Sequence, residues 1–208
     1  MKTAIFGATG RTGKLLLKET AARGWVSRVL VRDPAKIEHT EGISVHVGDA
    51  RSLPDVISTI EGVDAVFYCL GMADITLPAT DLSDSVKTII HAMRDQNVKR
   101  LVGIASAGEL DHPDGGYRNK EGLPDYLKHV SAEHVRNYEA LRDSGLAWTL
   151  MCPVFLIEDI PVGRGHYMFE DLPQGSYETG YADLARTMAD LVDRPESFGK
   201  RVGIVSFR

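Results

Sequence analysis

The sequence predicts an α/β fold: a doubly wound, mostly parallel β-sheet with helices on both faces. Three observations predict it. Short apolar runs alternate with longer amphipathic ones along the whole chain. Ala65 to Leu70 is apolar without interruption, as a strand covered on both faces requires. A glycine-rich turn, Gly7-Ala8-Thr9-Gly10-Arg11-Thr12-Gly13, joins the first apolar run to the first amphipathic one. Strands that alternate with helices imply parallel pairing and right-handed crossovers, and ligands then bind at the carboxyl ends of the strands.

The elements follow in order. Lys2 to Phe6 is a β-rich run. Thr12 to Arg23 sets Leu15, Leu16 and Ala22 at helical spacing, and Gly24 is a natural stop. Val26 to Val31 and Ile43 to Val47 read as strands, Leu53 to Ile60 as a helix, and Ala65 to Leu70 as the fourth strand. Leu82 to Asp95 is a helix, Leu101 to Ala105 a strand, Ala132 to Asp143 a helix and Trp148 to Cys152 a strand. Tyr181 to Val192 is the last helix and Val202 to Val205 a last short strand. Two segments fit this scheme poorly. Residues 109–123 are rich in Gly, Pro, Asp and His, and residues 157–180 hold two prolines and four glycines. Both are expected to be substrate-side loops, since long loops in compact domains are often functional.

A chain of 208 residues suits one domain, 1–208, with one core. Its 43% apolar and 25% charged residues match an ordinary globular composition, so disorder is not expected. The net charge of -5 argues against a nucleic-acid partner. No apolar run approaches the roughly 18 residues of a membrane span, and no leader-like stretch precedes the first strand. Cys69 and Cys152 sit inside apolar runs and read as two buried thiols, which points to a reducing cytoplasm. His112, His129 and His166 lack metal-ligand spacing. Neither a Gly-x-Ser-x-Gly elbow nor a His-Glu-x-x-His pair is present, so hydrolase chemistry has no support.

The glycine turn carries the sharpest chemical signal. It follows a strand and opens a helix, the context of the dinucleotide-binding Rossmann motif. Glycines let the backbone approach a pyrophosphate, and the helix N-terminus presents free N–H groups to that anion. Thr9 and Thr12 can add hydroxyl donors. At the end of the second strand an NAD-selective site usually places an acid. Here Arg32 stands first, with Arg11 in the glycine turn, and two guanidinium groups at that corner suit a ribose 2′-phosphate. Asp33 is the contrary signal, because one residue of slip would bring a carboxylate to the ribose. The third strand ends at Gly48-Asp49-Ala50, where a carboxylate can accept from an adenine amino group or cap the next helix. Leu70-Gly71 ends the fourth strand, and its glycine permits close approach of a ribose.

These residues resemble a known family. Ala4 to Gly13, then Val31-Arg32-Asp33 and Gly48-Asp49, are similar to the atypical short-chain dehydrogenase/reductases, and within them to the NAD(P)H-binding, NmrA-like group. That group includes biliverdin-IXβ/flavin reductases and bacterial NADH-flavin reductases. The likeness extends through Ser106-Ala107, through Glu133 to Leu146 and through Tyr181 to Ala185. It implies NADP as cofactor, with NAD as the second choice. It implies Gly7, Thr9, Gly10, Arg11, Thr12 and Gly13 at the pyrophosphate, Arg32 at the 2′-phosphate, and Asp49 and Ala50 at adenine. Leu70, Gly71, Ser106, Ala107, Pro153, Val154 and Phe155 would line the ribose and nicotinamide.

One departure bears on mechanism. Typical members use Ser with Tyr-x-x-x-Lys for acid–base work. Counted back from Leu141 to Gly145, the lysine position holds His134 and the tyrosine position Val130. Tyr117 and Tyr126 lie nearby without a lysine four residues on. The flavin reductase branch has the same histidine and the same missing tyrosine. The expected function is therefore an NADPH-dependent oxidoreductase that delivers hydride to a flavin, quinone or similar conjugated small-molecule acceptor. The alternative is a non-catalytic NADP-binding redox sensor of the NmrA-like type. Ser106 would hold a substrate carbonyl or a water, and His134 would bond the ribose or orient substrate, titrating near neutral pH. Tyr138, one turn beyond His134, reads as packing. A monomer or small homo-oligomer is expected.

Overall fold

The computed structural model describes residues 1–37, 42–120 and 122–208. Its elements are β1 (Lys2–Phe6), α1 (Arg11–Ala22), β2 (Val26–Val31), β3 (Ile43–Val47), α2 (Leu53–Ile60), β4 (Ala65–Tyr68), α3 (Asp81–Asp95) and β5 (Arg100–Ile104). They continue with α4 (Lys128–Arg142), β6 (Ala147–Pro153), β7 (Phe155–Ile157), β8 (Gly165–Phe169), β9 (Glu178–Gly180), α5 (Tyr181–Leu191) and β10 (Lys200–Ser206). The main sheet runs β3-β2-β1-β4-β5-β6-β10-β8. Every pair in it is parallel except β10 with β8. The doubly wound order therefore reverses between β1 and β4, where ligands bind in such sheets.

Alternation along the strands makes two cores. In β4, Val66 and Tyr68 face the side that carries α2, α3 and α4, while Ala65 and Phe67 face α1 and α5. Both faces are covered, which is why this strand reads as one apolar run. The Tyr68 ring packs against Gly103 of β5; a Cβ there would come within 1.8 Å of it. At the start of β5, Arg100 is buried without a bonded carboxylate among the described residues. Its guanidinium donates to the carbonyls of Leu101, Ala147, Leu191 and Val192 and to the hydroxyls of Thr149 and Ser197, and it stacks on Phe198.

The structure corrects three expectations. The segment expected as a loop over 157–180 contains β8 and β9, and β7 ends within it. β8 is an edge strand whose middle three residues are all exposed, so no alternation marked it. The last strand is longer than Val202 to Val205 and lies inside the sheet between β6 and β8. The fourth helix starts at Lys128 rather than Ala132, because a turn over Asp125–Leu127 leads straight into it. The other loop is held down firmly. Arg201 of β10 bonds the Glu109 carbonyl, Asp111 and Glu170, and Arg118 bonds Asp171. Glu121, within that segment, lies outside the described residues.

Candidate active site

The crevice at the switch point is built from backbone first. Gly7 has φ +83°, and a Cβ there would sit 2.5 Å from the Cys69 carbonyl oxygen at the end of β4. At Gly13 a Cβ would meet the Gly7 oxygen at 2.1 Å, so α1 packs directly on the turn. Gly10 differs: its Cβ would touch only the Gly7 oxygen, at 3.4 Å, and otherwise face open space. The Gly10 N–H donates to Gly7 and its carbonyl accepts from Lys14, which fixes the turn. The N-terminus of α1 has no side-chain cap and no acidic residue in its first turn. Its free N–H groups and positive dipole end face an uncrowded glycine, which fits a pyrophosphate. Gly71, past β4, is equally open, with nothing within 4 Å of a Cβ.

At the ribose corner the two arginines part company. Arg32 is exposed, makes no hydrogen bond among the described residues, and lies near enough to Asp49 to lower its carboxyl. Arg11 is also exposed but turns toward the far side of the crevice. It pairs with Glu158 at 3.5 Å and lies 4.7 Å over the ring of Tyr181, the first residue of α5. The expectation of paired guanidiniums at one corner is thus corrected, because α1 and α5 start side by side and the aromatic face attracts the cation. Asp33 is occupied elsewhere: its carboxylate accepts from Ala35 N–H and caps the turn over Pro34–Lys36. Asp49 accepts from the Arg51 backbone and guanidinium, which hold its carboxyl down at about 2. Its own N–H donates to Asp55, which comes so close to Gly48 that no Cβ would fit there. Ala50 and Leu70 pack part-buried on the α2–α4 core.

On the β5 and β6 side, Ser106 follows β5 and caps a short turn. Its hydroxyl accepts from Gly108 N–H at 3.2 Å, and Glu109 reaches back to accept from Ser106 N–H at 2.7 Å. Ala107 packs on the core beside it. Pro153 ends β6 and is buried; Val154 N–H donates to Thr179, and Phe155 is 62% exposed. His134 is part-buried on α4. Desolvation pushes its imidazole down to about 4, so it is neutral at pH 7 and does not titrate near neutrality as the sequence suggested. Its Nδ1 is shielded from solvent and bonds nothing among the described residues. Tyr138 packs edge-on against Tyr117 and Trp148 and lies under Arg201, a structural role. Cys152 is buried, Cys69 part-buried, and both are free thiols that burial pushes up, Cys69 to about 12.

Glu109 escaped the sequence reading. It is fully buried and, among the described residues, its carboxyl bonds no cation, because Arg201 is committed to Asp111, Glu170 and the Glu109 backbone. Its Oε1 accepts only a long bond, 3.4 Å, from Ser131, which in turn accepts from Asn119 at 2.6 Å. Burial pushes the carboxyl up to about 7, and the bonds from Ser106 and Ser131 offset part of that rise. The Tyr68 hydroxyl, fully buried, has no partner among the described residues. The signal was present: Ser106-x-x-Glu109 is a capping-box spacing.

Comparisons with known proteins identify a family and a fold. The family model described as NAD(P)H-binding matches residues 7–195. The uncharacterized protein YwnB of Bacillus subtilis is 24% identical, with 99% of each chain covered. An NAD(P)H azoreductase of Xenophilus azovorans is 23% identical over 75% of this chain and 49% of its own. A solved structure from Streptococcus pneumoniae, provisionally named an NADH-flavin reductase, superposes with a TM-score of 0.84 at 20% identity, all of both chains covered. It shares the doubly wound fold.

Proposed function

This chain belongs to the NAD(P)H-binding family, and from that premise we propose that it is an NADPH-dependent reductase of a flavin, a quinone or a similar conjugated acceptor. The observation that carries the reading is His134. It stands where a dehydrogenase has its lysine, as a neutral imidazole with an unbonded Nδ1, and Val130 stands where the tyrosine would be. A phenol–lysine pair that could protonate an ordinary carbonyl is missing. An electron-poor conjugated ring takes up hydride without such a pair.

Reduced nicotinamide, when bound, supplies the hydride. The chain's own residues bind and orient. Gly7, Thr9, Gly10, Thr12 and Gly13 would hold the pyrophosphate on the α1 N-terminus, with Arg11 alongside. Arg32 would meet the 2′-phosphate, a reading supported by its lack of a hydrogen-bonded partner and by the engagement of Asp33 in its own turn. Asp49 and Ala50 would flank adenine. Leu70, Gly71, Ala107, Pro153 and Val154 would line the ribose and nicotinamide. His134 Nδ1 has a bond to gain from a ribose hydroxyl. Ser106 would hold the acceptor, and the exposed rings of Phe155 and Tyr177, neighbours on β7 and beside β9, offer flat apolar surface for it. The azo and flavin chemistry in the relatives' names is of the same conjugated class.

The test is oxidation of NADPH by the purified protein with FMN, riboflavin and a quinone, followed by nicotinamide absorbance. Turnover well above the uncatalysed rate is expected. Gly10→Val, which fills open space without a backbone clash, should abolish turnover and NADPH binding while leaving the melting temperature unchanged. Tight NADPH binding with no turnover across the panel would instead assign the chain to the sensor type.

A further inference from the structure

We propose that Glu109 is the proton reservoir of the reductase step, acting through the Ser106 hydroxyl in place of the phenol–lysine pair this chain lacks. The inference rests on the reductase reading above. An acceptor that has taken up hydride is an anion one proton short of its product. In the step inferred here, the Ser106 O–H bond breaks and its proton bonds to the acceptor. The Ser106 oxygen takes a proton from the Glu109 carboxyl, whose O–H bonding pair stays behind on the carboxylate. Solvent then returns a proton to Glu109. No electrons move in this step, and Glu109, which touches Ser106 rather than the acceptor, is a positioning and relay residue.

Three features of the geometry support this. Glu109 and Ser106 are locked together: the carboxyl accepts Ser106 N–H at 2.7 Å, and the Ser106 hydroxyl also lies close enough to favour its ionised form. The Ser106 hydroxyl accepts from Gly108 N–H, which leaves its second lone pair to receive the Glu109 proton as its own is given up. The carboxyl is buried with no counter-ion among the described residues, and such a group holds its proton at pH values where an ordinary glutamate has lost it. A capping box needs none of this burial.

The groups that face the carboxyl come from every neighbouring element. They are Ser106 from its own turn, Ser131 from α4, the Tyr68 phenol from β4 and the Cys152 thiol from β6. Arg201 from β10 meets the Glu109 backbone and carries Asp111 and Glu170 with it. Burial pushes Tyr68 and Cys152 well above their usual ranges, and His134 on α4 stays neutral. Glu109, pushed up to about 7, is thus the member of the cluster that changes charge near neutrality. Tyr68, whose phenol feels the Glu109 charge, has its hydroxyl unbonded among the described residues.

The test has two arms. In the first, difference infrared spectroscopy of the protein without cofactor follows the carbonyl band of a protonated carboxyl. A band absent from Glu109→Gln and titrating near pH 7 is expected. In the second, NADPH-dependent flavin reduction is measured across the same pH range. Wild-type kcat should fall above the same midpoint. Glu109→Gln should lose about ten- to a hundredfold in kcat, keep its NADPH affinity, and show a flat profile. A carboxyl already ionised at pH 6 overturns the inference whatever the activity. A Glu109→Gln enzyme with the wild-type rate and profile overturns it while the reductase reading stands. A wild type that reduces no acceptor takes down both. Should Glu109→Gln fail to fold, the wild-type profile decides: no limb near neutrality overturns the relay.

Discussion

The two ends of β5 each carry a buried charge-bearing side chain, and they are treated in opposite ways. Arg100, at the start of the strand, spends its guanidinium on four carbonyls and two hydroxyls, some of them at the C-terminal end of α5. Burial lowers it only to about 10, so it stays charged. Glu109, just past the strand's other end, has the Ser106 N–H, nearby serine hydroxyls and no cation, and it stands near the middle of its titration at pH 7. Of the buried polar atoms without partners among the described residues, Tyr68 Oη belongs to a side chain facing Glu109, His134 Nδ1 and both Asn137 side-chain atoms lie on α4, and Arg23 Nε lies just past α1. The difference teaches where the molecule is finished and where it waits for something. The start of β5 is closed by its own groups, while beyond its carboxyl end Glu109, Tyr68 and His134 hold unspent donors and acceptors, as a ligand-binding edge should.

Breaking the finished end should have the largest effect. Arg100→Met removes every one of those bonds and strands buried carbonyls, so stability should fall by about 3–5 kcal/mol. Urea denaturation measures it, and the folded fraction should still bind NADPH normally. A loss below 1 kcal/mol would show that the network is ornamental. The other end should respond in the opposite sense. A raised carboxyl pKa favours folding below the unfolded value of 4.5, and that contribution is lost as pH rises through about 7. Glu109→Gln cannot titrate. Its stability relative to wild type should therefore improve from pH 4.5 to above pH 7 by about 3 kcal/mol, at 1.36 kcal/mol per pKa unit. A difference that does not change with pH would mean that Glu109 is ionised in the folded protein.

The same contrast separates what could be read from the sequence from what could not. The glycine turn was legible because its constraints are local: the φ of Gly7 and the crowding at Gly13 are set by the turn itself and the adjoining strand. The apolar run of β4 announced a strand covered on both faces, and the doubly wound, mostly parallel sheet followed from the alternation. Arg11 was not legible, since its direction is set by Tyr181 and Glu158, far along the chain. β8 was invisible because an edge strand need not bury alternate residues. Glu109 showed its cap spacing but not its burial, which α4 and β10 impose from outside. The state of His134 failed for the same reason: an imidazole's pKa depends on the dielectric that tertiary packing builds around it.

A smaller effect should sharpen the reading of the unspent edge. Arg32 has no hydrogen-bonded partner among the described residues, so removing it should disturb the fold little. Losing a charge-assisted contact to a 2′-phosphate costs about 1.5–3 kcal/mol. Arg32→Ala should weaken NADPH binding by roughly ten- to a hundredfold and leave NADH nearly unchanged. Calorimetry with both cofactors separates the cases. Equal losses would show that Arg32 does not read that phosphate.

The smallest effect belongs to His134, and it sets the two candidate proton sources apart. With its imidazole held down at about 4, His134 has no proton to give near pH 7 and none to lose across the neutral range. Its contribution should be one hydrogen bond from Nδ1 or to it. His134→Ala should lower turnover with a flavin by tenfold or less, about 1.4 kcal/mol of transition-state stabilisation at most. A positioned general acid would instead be worth about a hundred- to ten-thousandfold. The pH profile is the decisive measurement. The descending limb near neutrality should survive in His134→Ala and vanish in Glu109→Gln. If instead the limb disappears with His134 and persists without Glu109, the proton comes from the imidazole, and the burial argument for both residues is wrong.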